Sequence, residues 1–175
     1  MNPCVFMDRD GVLNKERGDF TFLTDDFIIP EFVPGALKDL KKAGFKLVVI
    51  TNQSGISRGL FTRQQMEACH DKLNRATENI IDGIYYCPYH PDVTATLSRK
   101  PGTLLFERAI AKFSVDTDSS WMVGDAERDL LPARQLGIKT IFIGIGEKSE
   151  HADYYAGDLA EAARIILEQS LPLNR

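Results

Sequence analysis

Two acidic residues follow a short apolar run near the start of the chain and suggest metal-assisted chemistry. The run Cys4–Met7 ends at Asp8, and a second acid, Asp10, comes two positions later, just before Gly11. If the backbone stays extended, both carboxylates lie on one side of it, about 6–7 Å apart. Two acids this close raise each other's pKa unless a cation, such as a divalent metal with oxygen ligands, neutralises them. D-x-D-G is also a common polar turn, so the rest of the chain must decide.

Two further apolar runs also end at residues that can take part in chemistry. Residues 45–50 are rich in β-branched side chains and lead into Thr51, while residues 121–123 lead into Asp125, with Asp129 four positions later. Because the carboxyl ends of parallel strands meet at one edge of a sheet, these side chains would converge with the first two acids. Taken singly, each has an ordinary explanation. Thr51 could belong to a turn, and the two acids could simply be favoured at a helix N-terminus.

A basic pair, Arg99 and Lys100, precedes Pro101 at the entry of a predicted helix. By itself such a pair is a common feature of a solvated surface. Together, the strand-end residues and this basic pair supply two sets of groups. The acids can bind a cation, and the hydroxyl, backbone N–H groups and lysine can bind an anion. This combination fits a phosphate group held beside Mg²⁺. The order of the groups at successive strand ends favours one joint site over separate ordinary features.

These residue types suggest a mechanism of phosphoryl transfer. Asp8 is the candidate nucleophile, because a carboxylate can accept a phosphoryl group as an aspartyl phosphate and divide the reaction into two steps. Asp10 would protonate the leaving alkoxide and then deprotonate the attacking water. Thr51 and Lys100 would stabilise charge on the transferred group.

A Mg²⁺ ion would neutralise the repulsion between the nucleophile and the phosphate oxygens. Asp125 would complete the coordination of the ion, and the backbone carbonyl of Asp10 could also be a ligand. Asp129 is expected to support these ligands from behind and not to bind the ion directly.

Strand and helix patterns alternate along the chain, which predicts right-handed crossovers and a parallel sheet covered on both faces. The predicted fold is therefore a doubly wound, Rossmann-like α/β fold, with residues 1–175 forming a single domain. A loop over residues 15–26 is too polar to pack as a core element and could close over a ligand. The predicted strands are 4–7, 45–50, 83–87, 121–123 and 139–143, and the predicted helices are 34–43, 62–79, 103–113, one ending at 135, and 159–167.

Composition and charge argue against several classes of function. The 175 residues are 43% hydrophobic and 26% charged, and the net charge is −4 with scattered basic residues, so neither nucleic acid nor an anionic membrane is an expected partner. No apolar run is long enough for a membrane span, and the first residues lack the pattern of a signal peptide. The three separated cysteines predict reduced thiols and a cytoplasmic protein. No long exposed apolar face is evident, which predicts a monomer.

Four motifs resemble, in order, the signature motifs of the haloacid dehalogenase superfamily of phosphatases: D-R-D-G-V-L-N, T-N-Q-S-G, R-K-P-G and G-D-x-x-x-D. Within that superfamily, the chain is similar to the D-glycero-D-manno-heptose 1,7-bisphosphate phosphatases and the related histidinol-phosphate phosphatases. The resemblance implies a Mg²⁺-dependent phosphatase without a large cap, acting on a small sugar phosphate. The heptose bisphosphate is the first candidate substrate and histidinol phosphate the second. A binding module that senses a phosphorylated metabolite without turnover is the alternative of a different class.

The resemblance implies that Asp8 is the nucleophile and Asp10 the acid–base residue, and that Thr51 and Lys100 steady the phosphoryl group. It also implies that Mg²⁺ is bound by Asp8, Asp125 and the backbone carbonyl of Asp10. A lysine that the family places directly after the metal-binding aspartate is Ala126 here, and its loss is expected to weaken binding of a second phosphate. The substrate contacts that the resemblance implies are Arg9, Glu16, Arg17, Gly18, Asp19, Asn52, Gln53, Ser54 and Arg99.

The loop before R-K-P departs from the family pattern. The heptose enzymes commonly carry a structural zinc there on a loop of form C-x-H…C-x-C. Here only Cys87 remains, because Tyr89, Thr96 and Ser98 replace the histidine and the two later cysteines, and His90 is displaced by one position. A structural zinc normally takes four ligands, so we predict no zinc.

Overall fold

The computed structural model describes residues 1–144, 146 and 148–170, which contain six strands and five helices. None of the helices in this part of the chain is long and apolar enough to cross a membrane. In chain order the elements are β1 (Cys4–Met7), α1 (Phe32–Lys42), β2 (Lys46–Asn52), α2 (Arg63–Ala76), β3 (Gly83–Cys87), α3 (Leu104–Phe113), β4 (Trp121–Gly124), α4 (Glu127–Gln135), β5 (Lys139–Ile143), β6 (Tyr154–Ala156) and α5 (Leu159–Ser170).

The strands form one parallel sheet in the order β3-β2-β1-β4-β5-β6, which confirms the predicted doubly wound α/β fold. β1 lies in the middle, where Phe6 is paired with Val48 of β2 on one side and with Met122 of β4 on the other. The strand order reverses its direction between β1 and β4. In open sheets of this type the ligand crevice forms at such a point, outside the carboxyl ends of the strands.

The side chains of β1 alternate between two apolar layers. Val5 and Met7 pack in the layer covered by α1, α2 and α5, whereas Cys4 and Phe6 pack in the layer covered by α3 and α4. All four side chains are fully buried. An uninterrupted apolar run is therefore needed here, because both faces of the strand are covered by helices.

The helix bounds differ from the predicted ones for local reasons. α2 begins as predicted with a capping box, in which the Gln65 N–H donates to Thr62 Oγ1 at 3.2 Å and the Thr62 N–H donates to Gln65 Oε1 at 2.8 Å. It ends at Ala76, earlier than predicted, because Glu78 and Asn79 adopt positive φ values of 54° and 57°. Strand β6 was not predicted, since three residues are too few to show a periodic pattern.

The loop of residues 15–26 lies outside both apolar layers of the core, as its polar sequence predicts, but two of its aromatic side chains pack on a neighbouring segment. Phe20 and Phe22 lie on Phe61, with ring centroids 5.7 Å and 5.2 Å apart, and the second pair is nearly parallel. Phe61 is buried and packs against Gly55, where a Cβ would collide with its ring. These contacts tie the loop to the segment that follows β2.

At the opposite edge of the sheet, Asp82, the residue before β3, contacts both α1 and β2. Its carboxylate lies 2.5 Å from Lys41 Nζ of α1 and 3.3 Å from Lys46 Nζ of β2, and it accepts a hydrogen bond from the Leu47 N–H at 2.8 Å. Burial alone would raise the pKa of Asp82, but the Lys41 and Leu47 hydrogen bonds outweigh it and lower the pKa below its ordinary value. The ionised carboxylate thus stabilises the packing of α1 on the sheet.

We expect Asp82→Asn to lower the free energy of unfolding at pH 7 by about 1–2 kcal/mol, since the lysines are partly solvated. The pKa of Asp82 is lower in the folded protein than its value of about 3.9 in the unfolded chain. The stability that its charge contributes is therefore present above the unfolded pKa and is lost as the pH falls through the folded pKa. The difference in stability between the two proteins should therefore shrink as the pH falls below the unfolded value. Urea unfolding at several pH values measures this. The matched control is Asp39→Asn, whose carboxylate is exposed and 3.8 Å from Lys42. A constant difference at all pH values would contradict the ionic role of Asp82.

We expect Phe61→Ala to loosen the loop of residues 15–26, because the rings of Phe20 and Phe22 lose their shared neighbour. Hydrogen–deuterium exchange should speed up in this loop and stay unchanged in the central strands. Leu60→Ala is the control, since Leu60 is half exposed and adjacent in sequence. Equal acceleration throughout the sheet would show that Phe61 acts on global stability instead.

Candidate active site

Asp8 is the first residue after β1 and is held at the edge of the sheet. Its backbone N–H donates to the Val123 carbonyl at 3.0 Å, which continues the pairing of β1 with β4 beyond the last strand residue. Its carboxylate accepts a hydrogen bond from the Arg9 N–H at 2.7 Å. Only 4% of the residue is exposed. The backbone therefore presents a buried carboxylate at the point where the strand order reverses.

Lys100 is the cation that accompanies Asp8. Its Nζ lies 2.9 Å from Asp8 Oδ1 and 2.7 Å from Asp129 Oδ1, and it donates to the Ile50 carbonyl at 2.7 Å. The ammonium group therefore has two carboxylate partners and one hydrogen-bonded carbonyl. Burial alone would lower the pKa of Lys100, but the carboxylates of Asp129 and Asp8 outweigh it and raise the pKa above its ordinary value. The side chain is therefore a fixed positive charge beside the candidate nucleophile.

Asn52, at the end of β2, holds the backbone of Lys100 in place. Its Nδ2 donates to the Lys100 carbonyl at 3.1 Å, and its Oδ1 accepts from the Lys100 N–H at 3.0 Å. This reciprocal pair joins the T-N-Q-S-G and R-K-P-G motifs, which lie far apart in the sequence. The amide of Asn52 thus positions the ammonium group, in addition to lining the cavity described below.

Three carboxylates meet at this edge of the sheet. One oxygen each from Asp8, Asp125 and Asp129 lies within 4.8 Å of the other two. Asp129 is fully buried, and its Oδ2 accepts the Ala126 N–H at 3.1 Å, while its Oδ1 faces Lys100. Nothing in the described part of the chain donates to the buried Oδ1 of Asp125.

Two glycines of the motifs allow this close approach. Gly11 has a positive φ of 82°, and a Cβ there would collide with the Asp125 carboxylate. A Cβ on Gly124 would collide with the side chain of Asp129. Larger residues at either position would push the acids apart.

The crowded carboxylates favour a cation. Burial raises the pKa of Asp8 to about 6, with the Asp129 charge adding to the effect and Lys100 opposing it. Burial also raises the pKa of Asp125 to about 7, and the charges of Asp8 and Asp129 contribute. Oxygen donors with excess negative charge, one of them lacking a hydrogen-bond donor, fit a hard divalent cation.

Asp10 is held by a dense set of hydrogen bonds. Nη2 of Arg9 lies 2.9 Å from both of its carboxylate oxygens, Asn14 Nδ2 donates at 3.0 Å and Gln53 Nε2 donates at 3.1 Å. Gln53 Nε2 also donates to the hydroxyl of buried Thr51 at 3.0 Å. The orientation of the candidate acid–base residue is thus set by neighbours from two strand ends.

Arg9, expected to contact substrate, is fully buried. Its guanidinium donates to the Thr21 carbonyl at 2.9 Å as well as to Asp10, and it lies 5.3 Å from the ring centroid of Phe27. It also lies 3.4 Å from Nε2 of His70, whose pKa is lowered to about 4 by burial and by the Arg9 charge. The guanidinium is therefore surrounded by partners inside the protein.

A cavity of about 380 Å³ opens in front of these groups. Three of the predicted substrate contacts lie elsewhere: Arg17 pairs with Asp26 at 2.6 Å, Ser54 is buried, and Arg99 donates to a backbone carbonyl at 3.4 Å. The predicted residues that line the cavity are Asp8, Arg9, Asp10, Glu16, Gly18, Asp19, Thr51, Asn52 and Gln53.

Phe20, Thr21 and Arg128 also line the cavity, although sequence reasoning gave them no role. Arg128 occupies one of the variable positions of G-D-x-x-x-D, in the first turn of α4. The sequence could have indicated this residue, because the first turn of a helix that follows a strand lies at the same edge of the sheet as the end of that strand. Phe20 gave no comparable signal, since its place depends on its contact with Phe61.

The loop where related enzymes carry zinc is held by hydrogen bonds. The Ser98 hydroxyl donates to Cys87 Sγ at 3.2 Å and lies 2.8 Å from the Thr96 hydroxyl. Within the described residues, the cluster of Asp8, Asp125 and Asp129 is the one group of three or more acidic, histidine or cysteine side chains close enough to share a metal. One thiol and two hydroxyls do not form a zinc ligand set, and the absence of zinc stays a prediction.

Comparisons with known proteins agree with the motifs. The HAD-hydrolase-like family matches residues 97–164. The chain is 41% identical over 146 residues to the D-glycero-β-D-manno-heptose-1,7-bisphosphate 7-phosphatase of Haemophilus ducreyi, covering 78% of this chain and 80% of that protein. It is 35% identical over 187 residues to the protein of the same name from Escherichia coli K12, covering 97% of this chain and 96% of that protein.

A solved structure shares the fold over nearly the whole chain. It is D,D-heptose 1,7-bisphosphate phosphatase from B. bronchiseptica complexed with magnesium and phosphate, which is similar with a TM-score of 0.86 and 31% identity over 95% of this chain and 99% of that chain. These identities and coverages confirm the resemblance read from the four motifs. The chain therefore belongs to the phosphatases of the haloacid dehalogenase superfamily.

Proposed function

We propose that this protein is a Mg²⁺-dependent phosphatase that removes the 7-phosphate of D-glycero-D-manno-heptose 1,7-bisphosphate through an aspartyl phosphate. The observation that carries this proposal is the buried carboxylate of Asp8, 2.9 Å from Lys100 Nζ and adjacent to Asp125 beneath a polar cavity. The names of the relatives and the magnesium and phosphate in the similar structure support it.

Asp8 acts as the nucleophile in its ionised form. A pKa of about 6 leaves most of the carboxylate ionised at neutral pH. One carboxylate oxygen forms a bond to phosphorus while the bond from phosphorus to the sugar oxygen breaks. Water then attacks the phosphorus, which releases inorganic phosphate and regenerates the carboxylate.

Asp10 moves the protons in both steps. It gives a proton to the departing sugar oxygen and then takes one from the attacking water. A protonated carboxyl accepts fewer hydrogen bonds, so Asp10 must give up part of its contacts with Arg9, Asn14 and Gln53 when it carries the proton.

The residues that would hold Mg²⁺ are Asp8 and Asp125 through their carboxylates and Asp10 through its backbone carbonyl. When bound, the ion supplies positive charge between the nucleophile and the phosphate oxygens. Asp129 keeps Lys100 and the start of α4 in position, and Thr51 offers its hydroxyl to the phosphoryl group. Lys100 itself opposes the charge that develops on the transferred group.

The proposal is tested by comparing kcat/KM for the heptose bisphosphate, histidinol phosphate and other sugar phosphates. The heptose bisphosphate should be preferred, and Asp8→Asn should lower its kcat by at least about 10³-fold without changing the circular dichroism spectrum. Preference for histidinol phosphate would replace the substrate assignment. Tight binding by the wild type without turnover would favour a sensor, and full activity of Asp8→Asn would exclude the covalent mechanism.

We expect Mg²⁺ to stabilise the protein by about 2.7 kcal/mol at a hundred times its dissociation constant. Asp125→Asn should abolish this gain while leaving the metal-free protein at least as stable as the wild type, because a repelling charge is removed. Thermal unfolding with and without Mg²⁺ measures both effects, and chelation should remove activity until Mg²⁺ is restored. Asp71→Asn, at an exposed acid of α2, should keep the full gain. An undiminished gain in Asp125→Asn would contradict the ligand assignment.

A further inference from the structure

The charges that line the cavity are unevenly divided. Acidic side chains from both its floor and its rim face the space, including Glu16 and Asp19. The cations among the lining residues are Arg9 and Arg128. A substrate with two phosphate groups needs positive charge at both ends. A cation that already has partners within the protein is not free to bind the second phosphate, so the contacts of each cation determine which of them is available.

The cations near the reacting end are already occupied. Lys100 is buried, forms ion pairs with Asp8 and Asp129, and donates a hydrogen bond to the Ile50 carbonyl. The guanidinium of Arg9 is fully buried and is bonded to Asp10 and to a backbone carbonyl. Neither can serve the distant end of a bisphosphate without breaking these contacts.

Two other arginines near the site are directed elsewhere. Arg17 pairs with Asp26 at 2.6 Å, and Arg99 donates to the Tyr89 carbonyl at 3.4 Å. Neither lines the cavity described above.

Arg128 differs from all of these. It is exposed, lines the cavity from the first turn of α4, and has no ion pair or hydrogen bond with any residue that the structure describes. The N-terminus of this nine-residue helix adds partial positive charge in the same place. The Glu16 carboxylate, which also lines the cavity, accepts hydrogen bonds from the N–H groups of Arg17 and Gly18, both at 2.7 Å, so its negative charge is partly satisfied within its loop.

We propose that Arg128 binds the phosphate group that is not cleaved and thereby sets a preference for bisphosphates over monophosphates. This inference rests on the proposed function. A guanidinium can bind phosphate through two parallel hydrogen bonds, which an ammonium at the same place cannot reproduce. Arg128 would thus supply the second positive charge that Ala126 lacks, two positions further along the chain.

The test compares the heptose 1,7-bisphosphate with the heptose 7-phosphate for wild type, Arg128→Ala and Arg128→Lys. Arg128→Ala should lower kcat/KM for the bisphosphate about 10- to 100-fold, mainly by raising KM, and change it less than about threefold for the monophosphate. Arg128→Lys should recover part of the loss. Arg134→Ala is the matched control, because Arg134 lies on the same helix but pairs with Asp153 outside the cavity.

Equal losses on both substrates, or no loss on either, would overturn the role of Arg128. If the wild type releases phosphate from neither substrate, the proposed function fails. A binding measurement then tests the role of Arg128 separately from catalysis. Calorimetry with Asp8→Asn in Mg²⁺ gives the dissociation constant of the bisphosphate, which should rise about 10- to 100-fold in the double variant with Arg128→Ala. Unchanged affinity, or no binding by Asp8→Asn, would also overturn the inference.

Discussion

One buried ammonium group links the elements of the candidate site. Lys100 Nζ contacts the acid that follows β1, an acid of α4 and the Ile50 carbonyl of β2. Without this charge, Asp8 and Asp129 would be two buried anions, each costing several kcal/mol to remove from water. With it, the carboxylates still outnumber the cation, and one oxygen of Asp125 has no hydrogen-bond donor among the described residues. The folded chain therefore leaves a local excess of negative charge that a divalent cation can balance.

Much of this arrangement could be predicted because it depends on backbone geometry. An uninterrupted apolar run, such as the one before Asp8, is typical of a strand that is covered on both faces. In a parallel sheet, the carboxyl ends of such strands lie at the same edge. Gly11 and Gly124 are required by the same backbone geometry, since a side chain at either position would displace an acid. The motifs thus contain the residues that are needed to place several carboxylates within a few ångströms of one another.

The rest could not be predicted because it depends on tertiary contacts between side chains. Phe20 and Phe22 meet Phe61 across about 40 residues of sequence, and nothing in the polar segment around them indicates a partner. The sequence also does not show which way a side chain turns in a tight loop. The guanidinium of Arg9 is thus fully buried against Asp10 while the residue still lines the cavity, and its burial was not evident from the motif.

The two parts of the site differ in how freely they can change. Asp8, Lys100 and Asp129 are buried, and Lys100 forms an ion pair with each of the two acids, so the charge balance of this cluster restricts which residues each position can hold. The rim consists of a surface loop and the first turn of a helix, whose exposed side chains can change while the sheet stays intact. The departures from the family pattern, at Ala126 and in the loop around Ser98, also lie outside the buried carboxylate cluster. Differences in substrate choice within this superfamily can therefore arise at the rim while the reacting end remains the same.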